Sequence, residues 1–414
     1  MAPTPRAALL LVAIGVAALV LPLPLILVAV VIVAGSIVAD AWAARRFPTT
    51  TRHVPELLYR GVPGRFSVDV HGQAQRTRVR QPAIPDVDLN PSEGDAGLNA
   101  TITPQRRGRH VLPPLAVRST GPLGLARAVT SQAQDHELLV YPDMPSARRL
   151  AAAVRTGRFR TEGRRNRGPI GLGTEFESIR DYTEDDDIRS VNWQATGRMQ
   201  RPMANVWRVE QDRDVICVID SGRLMGAPIG ALTRLDAAID ATAAMAVVAD
   251  VVGDRVGVIV FDDGIRRELR PRRRGGEAVP VAIFDVEPSN ADSDYLMVFQ
   301  KLTSYKRAFV LVLTDLVEES AARPLIEALP VLSRHHAVAV ATVRDPDLTA
   351  VLTTAPHQML EVAQMAIAAD VVDAKDRVSR SLAHRNVAVI DASHEALSRA
   401  CIAAYLRAKS VAAF

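Results

Sequence analysis

Asp181, Glu184, Asp185, Asp186 and Asp187 form the densest acidic run in the chain, and Arg180, Arg189 and Arg198 stand around it. Paired carboxylates can serve as acid and base, so a hydrolase built on this cluster is one reading. Five like charges this close repel unless countered, and the arginines are at hand, so a structural ion-pair network is the favoured one. Tyr182 and Trp193 in the same stretch read as packing anchors. A second pair of carboxylates, Asp220 and Asp315, stands at the ends of the runs VICVID and AFVLVLT. Carboxylates at such positions, joined by hydroxyls, suit a hard divalent cation. Cys217 lies inside the first of these runs and Cys401 on an apolar helical stretch, which makes both core residues. His335-His336 falls between a helical and a strand pattern, which suits a helix end better than ligation. Gly168-Pro-Ile-Gly171-Leu-Gly173 has glycines that could cradle phosphate, but no strand precedes it. The sequence contains no Gly-x-Ser-x-Gly elbow, no Walker A lysine and no His-Glu-x-x-His.

Three stretches must position these groups. Residues 206–414 alternate strand and helix patterns. Val215–Asp220, Arg255–Phe261, Ala308–Thr314, Ala337–Val343 and Val387–Ile390 are the near-continuous apolar runs of strands buried on both faces. Leu235–Asp250 follows the helical period, and Asp262-Asp263-Gly264 signals a hairpin that turns Ile265–Leu269 back as an antiparallel edge. The expected fold is α/β, a doubly wound sheet, with Asp220 and Asp315 at carboxyl strand ends where such sheets bind ligands. Residues 146–205 form a charged connector holding the acidic cluster. Residues 48–145 carry short alternating runs (Arg65–Val70, Arg76–Arg80, Asn99–Thr103, His110–Val117, Glu137–Tyr141) punctuated by Gly and Pro, the pattern of a small β-sandwich.

Residues 1–47 set the compartment. No charge occurs from Ala7 to Ala39, and Pro22 and Pro24 interrupt the run, so a hairpin of helices over Ala7–Leu21 and Leu25–Trp42 is expected to enter the membrane through residues 7–42. Arg6, Arg45 and Arg46 flank it and the turn has no charge, which puts both ends, and all that follows, on the cytoplasmic side of an inner or plasma membrane. The whole chain of 414 residues is 48% apolar and 23% charged, so it builds cores. Two cysteines exclude a disulfide framework or a four-thiolate zinc site. Fifty cations against 46 anions, with 4% aromatics, argue against a nucleic-acid partner.

The string Gly173-Thr-Glu175-Phe176-Glu-Ser-Ile-Arg180-Asp-Tyr182, continuing through Asp186, Asp187, Arg189, Asn192-Trp193 and Arg198, resembles the signature of the bacterial domain-of-unknown-function family fifty-eight. Thr314-Asp315-Leu316 and Leu332-Ser-Arg-His335 match it too. Asp185 stands where the family usually has Gly, and Gly197 where Ala is usual. The resemblance implies a two-helix membrane anchor, a β-sandwich and a von Willebrand factor A-like (Rossmann-like) domain. It also implies a MoxR-type AAA+ ATPase as partner, in the maturation or activation of other proteins, with the signature residues as the interaction segment. The metal site of such a domain uses Asp-x-Ser-x-Ser, a Thr and a second Asp. In this sequence Gly222 and Leu224 occupy the serine positions, Arg223 brings a cation, and Ser293 is the nearest hydroxyl that could replace the Thr. Asp220 and Asp315 alone survive, so an internal ion pair is expected in place of Mg²⁺, with no cofactor and no catalysis. A divalent-dependent adhesion module is the alternative.

Overall fold

The computed structural model describes residues 2–72, 76–159, 175–183, 190–208, 212–316, 319–385 and 387–410, with the backbone alone for 175–178, 206–208 and 319–321. The chain is mixed α/β and divides into two compact units, Met1–Tyr141 and Pro142–Phe414.

The first unit begins with a short strand β1 (Ala2–Pro3) and two apolar helices, α1 (Pro5–Ala17) and α2 (Leu23–Ala44). Each starts with proline in its first turn, where no backbone N–H is needed. At about 1.5 Å per residue α1 falls well short of a hydrocarbon core of about 30 Å. Among the described residues α2 is the one helix long and apolar enough to cross a membrane. The rest of the unit is sheet: β2 (Thr49–His53), β3 (Leu58–Tyr59), β4 (Gly64–His71), β5 (Thr77–Arg80), β6 (Val87–Asn90), β7 (Glu93–Asp95), β8 (Gly97–Pro104), β9 (Gly108–Leu112), β10 (Leu115–Thr120), β11 (Ala126–Gln132) and β12 (His136–Tyr141). They form three sheets, ordered β1-β11-β10-β5-β7, β3-β12-β9 and β2-β4-β8-β6. Alternate residues such as Phe66 and Val68 of β4, Val79 of β5, Leu115 and Val117 of β10 and Leu138 and Val140 of β12 meet in one core. The run His110–Val117, expected as one strand, is two: Pro113-Pro114 has no N–H to give a ladder, and β9 and β10 join different sheets.

The second unit opens with α3 (Met144–Arg155), β13 (Glu175–Asp181), α4 (Trp193–Met199) and β14 (Met203–Arg208). The expected connector therefore holds regular structure. Asp143 caps α3, and Ala147, Ala151 and Val154 bury one face of it in the main core. β13 and β14 pair antiparallel. Then follow β15 (Asp214–Asp220), β16 (Pro228–Ile229), β17 (Leu232–Thr233), α5 (Arg234–Val252), β18 (Arg255–Phe261), β19 (Ile265–Arg272), α6 (Gly275–Ile283), α7 (Tyr295–Leu302), β20 (Ala308–Leu313), α8 (Glu319–Ser333), β21 (Ala337–Val343), α9 (Pro346–Thr353), α10 (Met359–Ala383), β22 (Ala388–Ala392) and α11 (His394–Ser410).

Six strands make one sheet in the order β19-β18-β15-β20-β21-β22, parallel throughout except at the β18–β19 edge. The two-residue period of the strands sorts their side chains. Val215, Cys217 and Ile219 face a layer formed with α3, α5 and α11, while Ile216 and Val218 face α7, α8 and α10. The α5 helix is buried along almost its whole length; a Thr233–Asp236 capping box starts it, and Gly253 at φ 87° ends it. Both cysteines are buried, as their apolar settings imply, and burial pushes the Cys217 thiol up to about 12.

Candidate functional site

Four parallel strands of the central sheet deliver a carboxylate at or just past their carboxyl ends: Asp220 after β15, Asp262 after β18, Asp315 after β20 and Asp345 after β21. Each has its charge answered from within the unit. Asp262 Oδ1 accepts the Gly264 N–H at 3.1 Å, and its Oδ2 meets Arg266 at 3.0 Å. Burial alone would raise this carboxyl; bonds from Ser289 and Gly264 and the Arg266 charge hold it below the usual range.

Asp220 is buried too, and four groups contact its carboxylate. Its Oδ1 accepts the Gly222 N–H at 2.8 Å and the Ser293 hydroxyl at 2.5 Å. Its Oδ2 lies 2.7 Å from Tyr295 Oη and 2.7 Å from Thr314 Oγ1, and those two hydroxyls are 2.8 Å apart. Two hydroxyl protons serve these three contacts, so at any moment they are shared around a closed triangle. Burial, then the neighbouring Asp220 charge, pushes the Tyr295 phenol well above its ordinary value, so it stays a donor. Its ring is wedged edge-on to Phe261 at 5.5 Å.

Gly222 explains the missing serine. A Cβ built there would lie 2.2 Å from Ser293 Oγ and 3.0 Å from the Ala291 carbonyl. The hydroxyl that contacts Asp220 thus arrives from Ser293, across the space a serine at 222 would fill. Leu224 sits in a 3-10 turn over Arg223–Gly226 and offers no ligand atom.

Asp315 is buried against the guanidinium of Arg234, the first residue of α5, whose other nitrogen reaches Asp345 at 3.4 Å. The ion pair expected of Asp220 and Asp315 with Arg223 is not the one formed: Asp315 meets Arg234, and Asp220 meets a backbone N–H and hydroxyls. Arg223 turns outward to the exposed Asp292 at 3.1 Å. A cavity of about 440 Å³ opens beside Ser293 and Tyr295, with Asp292, Asp294 and Glu327 on its wall. No group of three or more His, Cys, Asp or Glu able to hold a metal occurs among the described residues.

The signature segment lies on β13, α4 and β14. Glu175 and Phe176 are in the β13 backbone, with Phe176 opposite Trp207. Arg180 gives a bond to the Asp181 carbonyl at 2.9 Å, and Asp181 pairs with Arg201 at 3.2 Å. Asn192 caps α4 and donates to Asn205 at 2.8 Å, and Thr196 accepts the Met203 N–H at 3.0 Å. Trp193 is not the packing anchor expected of it: at 73% exposure it stands in solvent on the first turn of α4, and Arg198, in the last turn, is exposed as well. Tyr182 is half-buried. Asp186, Asp187 and Arg189, with the rest of the run from Glu184 and the Gly168–Gly173 loop, lie outside the described residues.

Sequence reasoning missed Tyr295, Arg234 and Asp345. The rule that selected Asp220 and Asp315, an acid just past a buried strand, also selects Asp345. Nothing local marks Tyr295 or Arg234, because what they touch lies far off in sequence.

A family model described as "Protein of unknown function DUF58" matches residues 178–386, half of the chain. The chain belongs to the DUF58 family. The match runs from β13 to the end of α10 and so takes in all four strand-end aspartates. No curated protein matches this DUF58 chain. Among solved structures, it is similar over 23% of its length to a cohesin module from a family 33 glycoside hydrolase of Clostridium perfringens (98% of that chain, 9% identity, TM-score 0.16). Over 24% of its length it is similar to a mutant SrpA adhesin of Streptococcus sanguinis (61% of that chain, 12% identity, TM-score 0.16).

Proposed function

We propose that this DUF58 protein is a membrane-anchored, non-enzymatic interaction module. In this reading the second unit is a von Willebrand factor A-like, Rossmann-like domain, the first carries a β-sandwich, and α1 and α2 form the anchor. The loops around Asp220 and Asp315, with the signature segment beside them in sequence, dock a protein partner of the MoxR-type AAA+ class in the maturation or activation of other proteins.

The observation that carries this is the state of the strand-end carboxylates. Asp220 accepts hydrogen bonds from Gly222, Ser293, Tyr295 and Thr314, and Asp315 is ion-paired with Arg234. A resident Mg²⁺ needs carboxylate and hydroxyl lone pairs facing an open position. These residues do not fit one: the hydroxyls point at the carboxylate, and a guanidinium already neutralises the second acid. Such a site is rigid, and it offers shape and rim charge to a partner in place of chemistry. The exposed Arg223–Asp292 pair and the acidic wall of the neighbouring cavity supply that rim.

The anchoring reading rests on α2, on Arg6, Arg45 and Arg46 at the helix ends, and on Trp42 beneath the Arg46 guanidinium at 4.6 Å, an interfacial pairing. It puts both soluble units in the cytoplasm, against the inner or plasma membrane.

The test is affinity capture from a detergent extract with the full chain. Recovery of an AAA+ ATPase, lost on reversing the rim charges with Arg223→Glu, is the expected result. Failure to recover one with wild-type bait counts against the partner. Calorimetry with Mg²⁺ and Mn²⁺ is expected to show no binding; heat abolished by Asp220→Ala would favour the divalent-dependent adhesion reading instead. Turnover on a hydrolase panel, removed by Asp186→Asn, would favour an enzyme.

A further inference from the structure

On the outer face of the sheet β1-β11-β10-β5-β7, the register of β5 and β10 puts Arg78 directly opposite Arg118. Like charges in that relation repel. Arg78 is answered from its other side, by Asp95 at 2.8 and 3.1 Å and by Glu93 at 3.2 Å. Arg118 makes no hydrogen bond or ion pair among the described residues and feels Asp95 only at a distance. Arg76 spends one nitrogen on the Pro122 carbonyl at 3.0 Å, a contact that leaves its charge unneutralised. All three arginines line one cavity of about 450 Å³, together with Thr77, Asp95 and Thr120. Two guanidiniums with no ion pair among the described residues, and a hydroxyl, around a hollow are the chemistry that recognises a phosphate.

The cavity is tied to the end of α2. Thr120 closes β10, and the turn after it is clamped by Asp40, whose carboxylate accepts the N–H groups of Leu123, Leu125 and Ala126 at 2.7, 2.7 and 2.8 Å. Thr4, just before α1, gives its N–H to Leu125 O at 2.9 Å and its hydroxyl to Gly124 O at 2.6 Å. Leu123 is 55% exposed at the tip of that turn, and Trp42, in the last turn of α2, is 62% exposed. An apolar tip, an interfacial tryptophan and a basic hollow are therefore held at one end of the apolar helix. Arg118 is only about 7 Å along the strand from Thr120.

We propose that this cavity binds the phosphate of an anionic phospholipid headgroup. The inference rests on the reading that α2 crosses a membrane. A basic group next to a spanning helix meets the anionic cytoplasmic leaflet, and the cavity adds a place for one headgroup to be gripped.

The test uses the full chain in phosphatidylcholine bilayers with a trace of spin-labelled lipid. Spin-labelled phosphatidylglycerol is expected to be held at the protein several-fold over spin-labelled phosphatidylcholine. R76Q/R118Q is expected to remove most of that selectivity, leaving the two lipids held about equally, while R118K keeps it. R118Q removes no hydrogen bond among the described residues, so it carries the test by itself if the double variant fails to fold. Inorganic phosphate separates the two sources. Phosphate that binds the detergent-solubilised chain, with no phosphatidylglycerol selectivity in bilayers, overturns the lipid assignment; binding of neither overturns the site. Retention in pure phosphatidylcholine vesicles reads the anchor separately. A chain retained there without selectivity overturns this inference and leaves the anchor standing. A chain not retained there that still binds phosphatidylglycerol vesicles, and loses this in R118Q, supports the cavity and overturns the anchor.

Discussion

Single side chains decide what the crevice at Asp220 can do. The Tyr295 phenol is held against a buried carboxylate, so Tyr295→Phe leaves Asp220 one donor short. Removing one partner of a buried charged hydrogen bond costs about 1–3 kcal/mol, which denaturant unfolding measures directly. No loss of stability would mean that the Asp220 triangle is not closed. Gly222→Ser drives a Cβ and hydroxyl into Ser293, an overpacking expected to cost about 1–3 kcal/mol. Gly222→Ser/Ser293→Ala makes room and moves the hydroxyl back to position 222, so it should recover most of that loss. Additive losses would refute the exchange of hydroxyls between the two positions. His336 is a different kind of site. Its Nδ1 accepts the Ala308 N–H at 3.2 Å and its Nε2 donates to Leu302 O at 3.1 Å, joining the end of α7 to the start of β20. Burial first, then the His335 and Arg307 charges, pulls its pKa below 6.5 against the Leu302 bond. The unfolded chain then binds the extra proton, so the contribution is whole above about pH 6.5 and is lost as pH falls through the folded value. Melting temperature should therefore drop between pH 7 and pH 5 in wild type and drop less in His336→Gln. Equal slopes would show that another group titrates.

At the scale of elements, caps and turns do the positioning. Asp40 matters more than its place near the end of an apolar helix suggests, because it is buried and satisfies three N–H groups of the turn between β10 and β11. A Cβ at Gly121 would come within 2.3 Å of this carboxylate, so the turn can approach only as glycine. Asp40→Ala is expected to expose the amides of Leu123, Leu125 and Ala126 to hydrogen exchange, by at least tenfold for a loss of about 1.4 kcal/mol. Core amides such as Val117 should keep their protection, and a uniform rise would instead mean global destabilisation. The strands of the second unit were legible from their unbroken apolar runs, and α5 from its helical period and its Thr233–Asp236 start. The split of His110–Val117 was also written in Pro113-Pro114. The burial of α3 was not legible, because Arg148, Arg149 and Arg155 on its outer face dominate a local reading while Ala147, Ala151 and Val154 go to the core.

For the whole molecule, the length and polarity of α2 make membrane retention the property to measure. A chain anchored by residues 7–42 stays in the pellet after carbonate washing and enters solution only with detergent, whereas a chain attached by surface charge is released. Protease added to spheroplasts should spare both units, and protease added to inverted vesicles should remove them; the opposite pattern would reverse the orientation. Composition and pattern alone determined that the chain builds cores, that residues 7–39 form an uncharged apolar run, and that parallel-type strands end in aspartates, since each of these depends on neighbours in sequence. The partners of Asp220 were decided by tertiary structure, because Ser293, Tyr295 and Thr314 lie 73, 75 and 94 residues away. So was the choice of Arg234 over Arg223 for Asp315. A carboxylate's role depends on which donors surround it, and only the stacking of β20, α7 and α5 around β15 brings those donors within reach.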